Sequence, residues 1–344
     1  MVLRLASYNV EWFTHLFDDA NILRADNEWS SRHKVTRAEQ AEALGIVFTA
    51  MNADAVMIIE APDQGSKRKT VPALERFAKA FELRTCKAVI GYTSETEQEI
   101  AFLYDPDRMT VRHDPKGQRS ARREKVRAPR FDSILHFDID VDAIPEPIRF
   151  SKPPLELAVA ANGRALRLIG VHAKSKSTHG ARTPAESKRL AIDNRRKQLA
   201  ECVWVRRRVD DHIAAGDSVI VMGDFNDGPG LDEYERLFGH SGVEIVLGAD
   251  CDPKERLFDP HATMILSQKI GLAPTTSRFW LPEKERFFEA LLDFIMVSPD
   301  LAALDPRWRI WHPLNDPGCF KVPELRDALL AASDHFPVTI DLPI

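Results

Sequence analysis

The sequence predicts a mixed α/β fold. Three observations point that way: nine short strand-like runs, three helical patterns between them, and 344 residues of which 44% are hydrophobic and 29% charged. That composition excludes disordered, collagen-like and coiled-coil chains. No apolar run reaches the roughly 18 residues of a membrane span. The opening residues alternate like a strand and lack the apolar core of a signal peptide, so a cytoplasmic location is expected.

In chain order, strands are expected at 2–9, 55–59, 99–104, 133–139, 155–161, 165–171, 218–223, 290–297 and 336–341, most bounded by Gly, Pro, Asn or Asp. Ala38, Ala41, Leu44, Val47 and Phe48 share one face of a helix over 37–51. A second helix follows Thr70 over 71–83. A third starts with Thr183 as N-cap, Pro184 at the first helical position and Glu186 closing a capping box, and runs to Ala214. Length alone allows one domain or two, but no internal repeat or low-complexity linker divides the chain. The irregular stretches 11–35, 114–130, 172–183 and 248–275 are therefore expected to be loops on one body, where function concentrates.

Cys86, Cys202, Cys251 and Cys319 are widely spaced, which fits free thiols rather than a zinc site or disulfide framework. The net charge of −5 hides two basic stretches: Lys116 to Arg130 has seven basic residues against one acid, and Arg195 to Arg208 six against one. Such runs are usually solvated faces, but they could also meet a polyanion.

Five segments place acids, amides and imidazoles at strand ends. Asn9 and Glu11 are two apart at the end of the first strand, and Glu60 ends the apolar run Val56–Ile59. His172 closes another strand and leads into Lys174 and Lys176, all able to donate to phosphate oxygen. Val219–Gly223 is apolar throughout and ends in Asp224 and Asn226, two polar groups at the mouth of a buried strand that packing explains poorly. Asp293 lies amid apolar residues and needs a buried donor, for which His335, beside Asp334, is the natural candidate. Singly, most of these admit an ordinary explanation, such as a turn or a solvated acid. Together they form an arrangement able to orient water and phosphate for in-line attack.

Taken in order, Asn9 with Glu11, Glu60, His172, Gly223-Asp224-Phe225-Asn226, Leu292-Asp293 and Ser333-Asp334-His335 resemble the endonuclease/exonuclease/phosphatase superfamily, over nearly the whole chain. The resemblance implies a single domain over 1–344, a four-layer α/β sandwich of two mixed sheets face to face with helices outside, and loop insertions near 11–35, 114–130 and 248–275. It also implies roles. Glu60 would be the principal metal ligand, with Asn9, Glu11 and Asp334 near the ion. Asp224 would position or deprotonate the attacking water, and Asn226 would hold the phosphate in the transition state. The Asp293–His335 pair would orient the phosphate or its nucleophile, and His172 would contact phosphate and assist the leaving oxygen. Oxygen donors without cysteine suit Mg²⁺, or Mn²⁺, better than zinc.

Departures narrow the branch. Ile59 replaces a glutamine common before the metal-binding glutamate, Leu291 replaces an arginine, and Val171-His172-Ala173-Lys174 replaces a tyrosine motif, all of which speak against apurinic-site repair. Tyr8–Phe13, the His172–Lys176 run and Arg195 with Gln198 resemble pancreatic deoxyribonuclease-like and bacterial nuclease-like members. The resulting expectation is a Mg²⁺-dependent phosphodiesterase cutting nucleic acid, with Lys174, Lys176 and the 116–130 loop on backbone phosphates. The alternative is a phosphatase or phosphodiesterase for a small-molecule or lipid-headgroup ester, with Trp12, Phe13, Phe17 and Trp29 walling a pocket. A catalytically silent phosphate-binding domain is disfavoured, because the set of reactive groups is complete.

Overall fold

The computed structural model describes residues 2–120, 126–138, 145–177, 180–228, 239–267 and 273–344. Two sheets form the body. The first has the order β14 (Arg307–Ile310), β15 (Val338–Leu342), β1 (Leu3–Asn9), β2 (Ala55–Ala61), β4 (Glu99–Tyr104), β3 (Lys87–Ile90); the second, β13 (Asp293–Val297), β10 (Val219–Asp224), β9 (Arg164–His172), β8 (Leu155–Ala161), β5 (Met109–His113). Both are mixed: β1 with β2 and β9 with β10 run parallel, and the remaining pairs are antiparallel. Two small hairpins, β6 (Leu135–Phe137) with β7 (Glu146–Ile148) and β11 (Ser277–Leu281) with β12 (Arg286–Ala290), stand apart.

Side-chain parity makes the layers. Leu3 and Leu5, Met57 and Ile59, Leu166 and Leu168, Ile220 and Met222, and Ile295 and Val297 fill the core between the sheets. The opposite faces pack outward. Tyr8, Val56 and Ile58 lie under α1 (Arg37–Met51), α2 (Thr70–Ala80) and α8 (Pro323–Ala332). Ile169, Val221, Phe294 and Met296 lie under α3 (Pro184–Ala214) and α4 (Gly242–Leu247). This is the four-layer α/β sandwich. Shorter helices are α5 (Pro260–Leu266), α6 (Pro299–Ala302) and α7 (Pro317–Phe320). None of the described helices is long and apolar enough to cross a membrane.

Several elements differ from expectation. The run 290–297 is two strands, because the chain breaks at Leu291–Leu292 and Asp293 opens β13. The second helix begins at Thr70 and stops at Ala80. The 248–275 stretch contains α5, whose N-cap Asp259 accepts from the His261 and Ala262 amides. Strands β3, β5, β7, β11, β12 and β14 are short or polar, with too little alternation to register in the sequence. All four cysteines are free.

The basic stretches are largely neutralised. Arg195 is fully buried against Asp227 at 2.6 Å and Arg208 against Glu156 at 3.0 Å, while Arg206 is held by Asp210 at 2.6 Å. Lys116 pairs with Asp114, Arg119 and Arg130 with Asp132, and Arg127 with Asp210 and Asp211. The 116–130 loop is anchored by Trp204 Nε1 on the Pro129 carbonyl and Arg208 on that of Ala128. Arg208 lies ten residues along α3 from Gln198, about 15 Å by helical rise, and Gln198 marks the end where β9 and β10 finish. The described part of the loop is therefore not a phosphate surface for that end; Arg122, Arg123 and Lys125 lie outside the described residues.

Candidate active site

The inner faces of β9, β10 and β13 end in one polar row. His172, Asp224 and Asp293 are register partners, so their side chains point the same way. They continue the file that deeper in the sandwich is Gly170, Met222 and Ile295, so the core opens into a buried polar mouth. Gly170 lets the sheets approach beneath it, since a Cβ there would meet Met57 Sδ at 2.5 Å. Across the mouth, Asn9 ends the inner file of β1 and donates to Asp224 Oδ2 at 3.0 Å. His335, just before β15, places Nδ1 2.7 Å from Asp293 Oδ2, the pairing expected from the sequence.

Glu11 lies beyond the end of β1, in a turn, and its alignment with Asn9 is not a strand effect. It reaches the mouth because Arg32 pairs with its carboxylate and the Asp334 amide donates to its Oε2 at 3.2 Å. Ser333 Oγ ties these segments together, donating to the Asn9 carbonyl at 2.7 Å and accepting from the Glu11 and His335 amides.

Glu60 arrives by a different route. Parity would send it outward with Val56 and Ile58, but the β2–β4 register shifts between Ile59 and Ala61, and Glu60 adopts φ +62°. Ala61 takes its place in the outer core, and the bulge re-aims the carboxylate, whose Oε2 accepts from the Trp12 amide at 3.1 Å. A left-handed non-glycine residue costs roughly 1–2 kcal/mol. Glu60→Gly is therefore expected to leave thermal stability unchanged or slightly raised while divalent-cation-dependent activity collapses, as read from unfolding and activity on one preparation.

Charge is tightly arranged. Burial alone would lower the His335 pKa, but Asp293 and Asp224 outweigh it and raise it, so the ring is an imidazolium. Burial, reinforced by Asp293, raises that of Asp224, which accepts from the Asn226 amide at 2.7 Å. Burial, with Lys152 and His335, holds His172 well below the ordinary histidine value. Lys152 Nζ is 3.1 Å from His172 Nε2. An ammonium has no acceptor, so Nε2 accepts, and the donor facing the mouth on this side is Lys152 rather than His172.

Among the described residues, Asp224, Asp293 and His335 are the group of acids and imidazole close enough to share one ion. Buried oxygens tell more. Asn9 Oδ1 and Asp293 Oδ1 have no hydrogen-bond donor among the described residues. Glu60, close enough to Asp334 and His335 to feel their charge, and Glu11, whose Oε2 accepts from the Asp334 amide, add further carboxylate oxygens beside the mouth, the donor type a hard divalent cation takes.

α3 supports the mouth from behind. Gln198 donates to the carbonyls of Lys174, Phe225 and Asn226, fixing the loops after β9 and β10, and Arg195 holds Asp227. Asp227 also takes Lys176 Nζ at 2.8 Å, so this lysine is tied to the loop's own support rather than turned toward substrate. Asn226, at φ +50°, donates to the Ala173 carbonyl at 3.1 Å. Glu201 accepts from the Lys174 amide at 2.8 Å, and burial, opposed by Lys197, raises its pKa to about 7. That value exceeds the ordinary 4.5, so this group's contribution to stability is full below pH 4.5 and lost as the pH rises through about 7. Glu201→Gln keeps an acceptor and is expected to gain on wild type by up to about 3 kcal/mol across that interval, measured by urea unfolding at several pH values.

Lys152, Arg32 and Thr276, whose hydroxyl accepts the Leu292 and Asp293 amides, are absent from the sequence-based set. Each precedes or follows an element without a motif of its own, and only tertiary packing brings it in. Of the four aromatics expected to wall a pocket, Phe13 and Phe17 belong to the outer core and Trp12 stacks on His15; Trp29 alone lines a cleft beside the mouth.

Comparison with known proteins agrees on the architecture. No curated protein matches the sequence. Among solved structures, TDP2 from Caenorhabditis elegans shares 14% identity at a TM-score of 0.51, covering 99% of this chain and 74% of that one. An endonuclease/exonuclease/phosphatase family protein from Bacteroides thetaiotaomicron shares 14% at 0.51, covering 99% and 97%. A mannosyl-6-phosphatase from the same species shares 14% at 0.50, covering 99% and 100%. At such identity these likenesses speak for the fold alone. Residues 6–335 match the family described as Endonuclease/Exonuclease/phosphatase, and the chain belongs to that family.

Proposed function

We propose that this protein is a divalent-cation-dependent phosphodiesterase that cleaves nucleic acid by in-line attack of water. The observation that carries the reading is the buried His172–Asp224–Asp293 row closed by His335 and Asn9, in which a carboxylate faces fixed donors at the end of the sandwich. Asp224, held by Asn9 and Asn226, orients the attacking water and accepts its proton. His335 Nε2, 3.9 Å from Asp224 Oδ2 and so beyond hydrogen-bond distance of it, donates to a phosphoryl oxygen. Lys152, steered by His172, donates to the oxygen on the opposite side. A cation held by Glu60 with Asn9, Glu11 and Asp334 would neutralise charge on the phosphoryl group.

A polyanionic substrate is supported by the flank beside Lys152. Lys197 Nζ donates to Ser151 Oγ at 2.8 Å, and Lys197, Arg196 and Arg149 outnumber Glu146, which pairs with Arg196, and Asp193 around one hollow of about 400 Å³ next to it. Lys174 adds a further cation on the loop after β9. Supercoiled plasmid, single-stranded RNA and bis-p-nitrophenyl phosphate, each with Mg²⁺, Mn²⁺ or EDTA, test the reading. Nicking that needs the cation, disappears in Asp224→Asn and falls steeply with salt is the expected result. Turnover confined to a small phosphomonoester or a lipid headgroup would overturn the nucleic-acid part and leave phosphoester hydrolysis standing.

A further inference from the structure

The other flank of the mouth is aromatic. In the β11–β12 hairpin, Arg278 opposes Glu289 and Trp280 opposes Phe287, so these four side chains share one face. Arg278, held by Glu289 at 3.2 Å, has its guanidinium carbon 3.5 Å from the Phe287 ring centre, and the Trp280 and Phe287 ring centres are 5.0 Å apart. The loop before α1 closes over this face. His33 stacks on Trp280 at 5.2 Å and 15°, and Trp29, anchored by its indole N–H on the Arg32 carbonyl, remains 65% exposed. A cleft of about 450 Å³ lies between hairpin and loop, and Glu11 and Asp334 form its inner end. The hairpin is built onto the site itself. The Arg278 amide donates to the Asp334 carbonyl at 2.7 Å, Ser277 bridges to His335, and Phe279 packs its ring against that imidazole.

From this geometry we infer that the cleft between Trp29, His33, Trp280 and Phe287 is a subsite that stacks an unpaired nucleobase of the residue flanking the scissile phosphate. The inference rests on the nuclease reading and specifies it: the substrate is single-stranded at the point of cleavage. Trp29 and Phe287 are exposed beside the Trp280–His33 stack, and exposed aromatic rings next to a phosphate site are the components of a stacking platform, tolerant of sequence because every base has a π face. The carboxylates of the cleft, Glu11 and Asp334, stand at its inner end, and Ser31, Arg32, His33, Arg278 and Ser333 supply hydrogen-bonding groups beside the aromatics, able to reach the edge of a stacked base. A stacked base pair is occluded on both faces, so a duplex cannot use the platform without fraying.

Two measurements test this. The first compares kcat/KM for thymidine 5′-(p-nitrophenyl phosphate) and methyl p-nitrophenyl phosphate. Wild type is expected to prefer the nucleoside ester by tenfold or more, and Trp280→Ala and Phe287→Ala each to bring that ratio toward one. Phe320→Ala, an exposed aromatic away from the cleft, should leave it unchanged. The second titrates the tryptophan fluorescence of Asp224→Asn with oligo(dT) and with an abasic oligomer of equal length and charge. Saturable quenching by oligo(dT) alone supports the subsite. Equal quenching by both, a ratio unchanged in both cleft variants of folded protein, or equal affinity for duplex overturns it while the nuclease reading stands. Failure to hydrolyse any nucleotide ester or oligonucleotide, with turnover of a sugar phosphate instead, overturns that reading and the subsite with it.

Discussion

Asp293→Asn and His335→Ala should each lower kcat/KM on the cleaved substrate by about 10³-fold, or about 4 kcal/mol of transition-state stabilisation, and the double variant should lose no more than either alone. The two side chains are one device. Asp293, buried at the start of β13, accepts a hydrogen bond from His335 Nδ1 at 2.7 Å and thereby aims Nε2 into the mouth. Asparagine keeps the shape but offers no charge to hold the imidazolium, and its amide can turn the ring. Alanine at 335 removes the donor and leaves Asp224 and Asp293 facing each other without a cation, a burial of like charge that can cost several kcal/mol in stability. For that reason the activity loss is to be read on protein shown to be folded, with Asp293→Asn as the gentler probe. Losses that multiply in the double variant would show that the residues act separately and that the pair is not a unit.

The strand-end logic of this pair was open to inspection in the sequence. An acid amid apolar residues must find a donor, and Asp224 and Asn226 after Val219–Gly223 had no packing explanation. The long helix was equally legible, because Thr183, Pro184 and Glu186 specify its start locally and the structure begins it at Pro184. What escaped depends on contacts far apart in sequence. Glu60 reaches the mouth through a bulge that period-two reading would have turned outward. Lys152 precedes β8 with no motif around it, and matters because His172, 20 residues on, lies 3.1 Å away. The charge runs misled in the opposite sense. Arg195 and Arg208 read as surface, yet the helix face they occupy is the buried one, where Asp227 and Glu156 wait for them.

The same contrast explains how the mouth is divided. Cations on the α3 flank come from segments 146–152 and 193–197, and aromatics on the other from the loop before α1 and the β11–β12 hairpin. The reactive row lies on the sandwich between them and is fixed by sheet register. Sequence reasoning that follows strands therefore finds the chemistry before it finds the specificity, because the latter is carried by irregular chain and a polar-edged hairpin.

Gly223→Ala is the substitution expected to damage the fold most. Gly223 has φ +142°, a backbone conformation closed to L residues, and a Cβ there would overlap the carbonyl oxygen of Val171 on the neighbouring parallel strand. That oxygen is backbone in a buried sheet, so the clash can be relieved only by parting β9 from β10 where His172 and Asp224 stand side by side. A loss of more than about 4 kcal/mol is expected, with protein failing to accumulate in soluble form. Gly170→Ala provides the measure. Its Cβ would meet Met57 Sδ, an atom of a flexible side chain that can swing away, so a cost of about 1–3 kcal/mol is expected. Urea unfolding of the two variants side by side decides the matter. Equal, mild destabilisation would mean that the approach of β10 to β9 is adjustable and that the placement of Asp224 does not depend on the glycine before it. A large gap between them would mean that the residue preceding Asp224 is glycine because of strand geometry, and that the register of one strand pair sets the positions of His172 and Asp224.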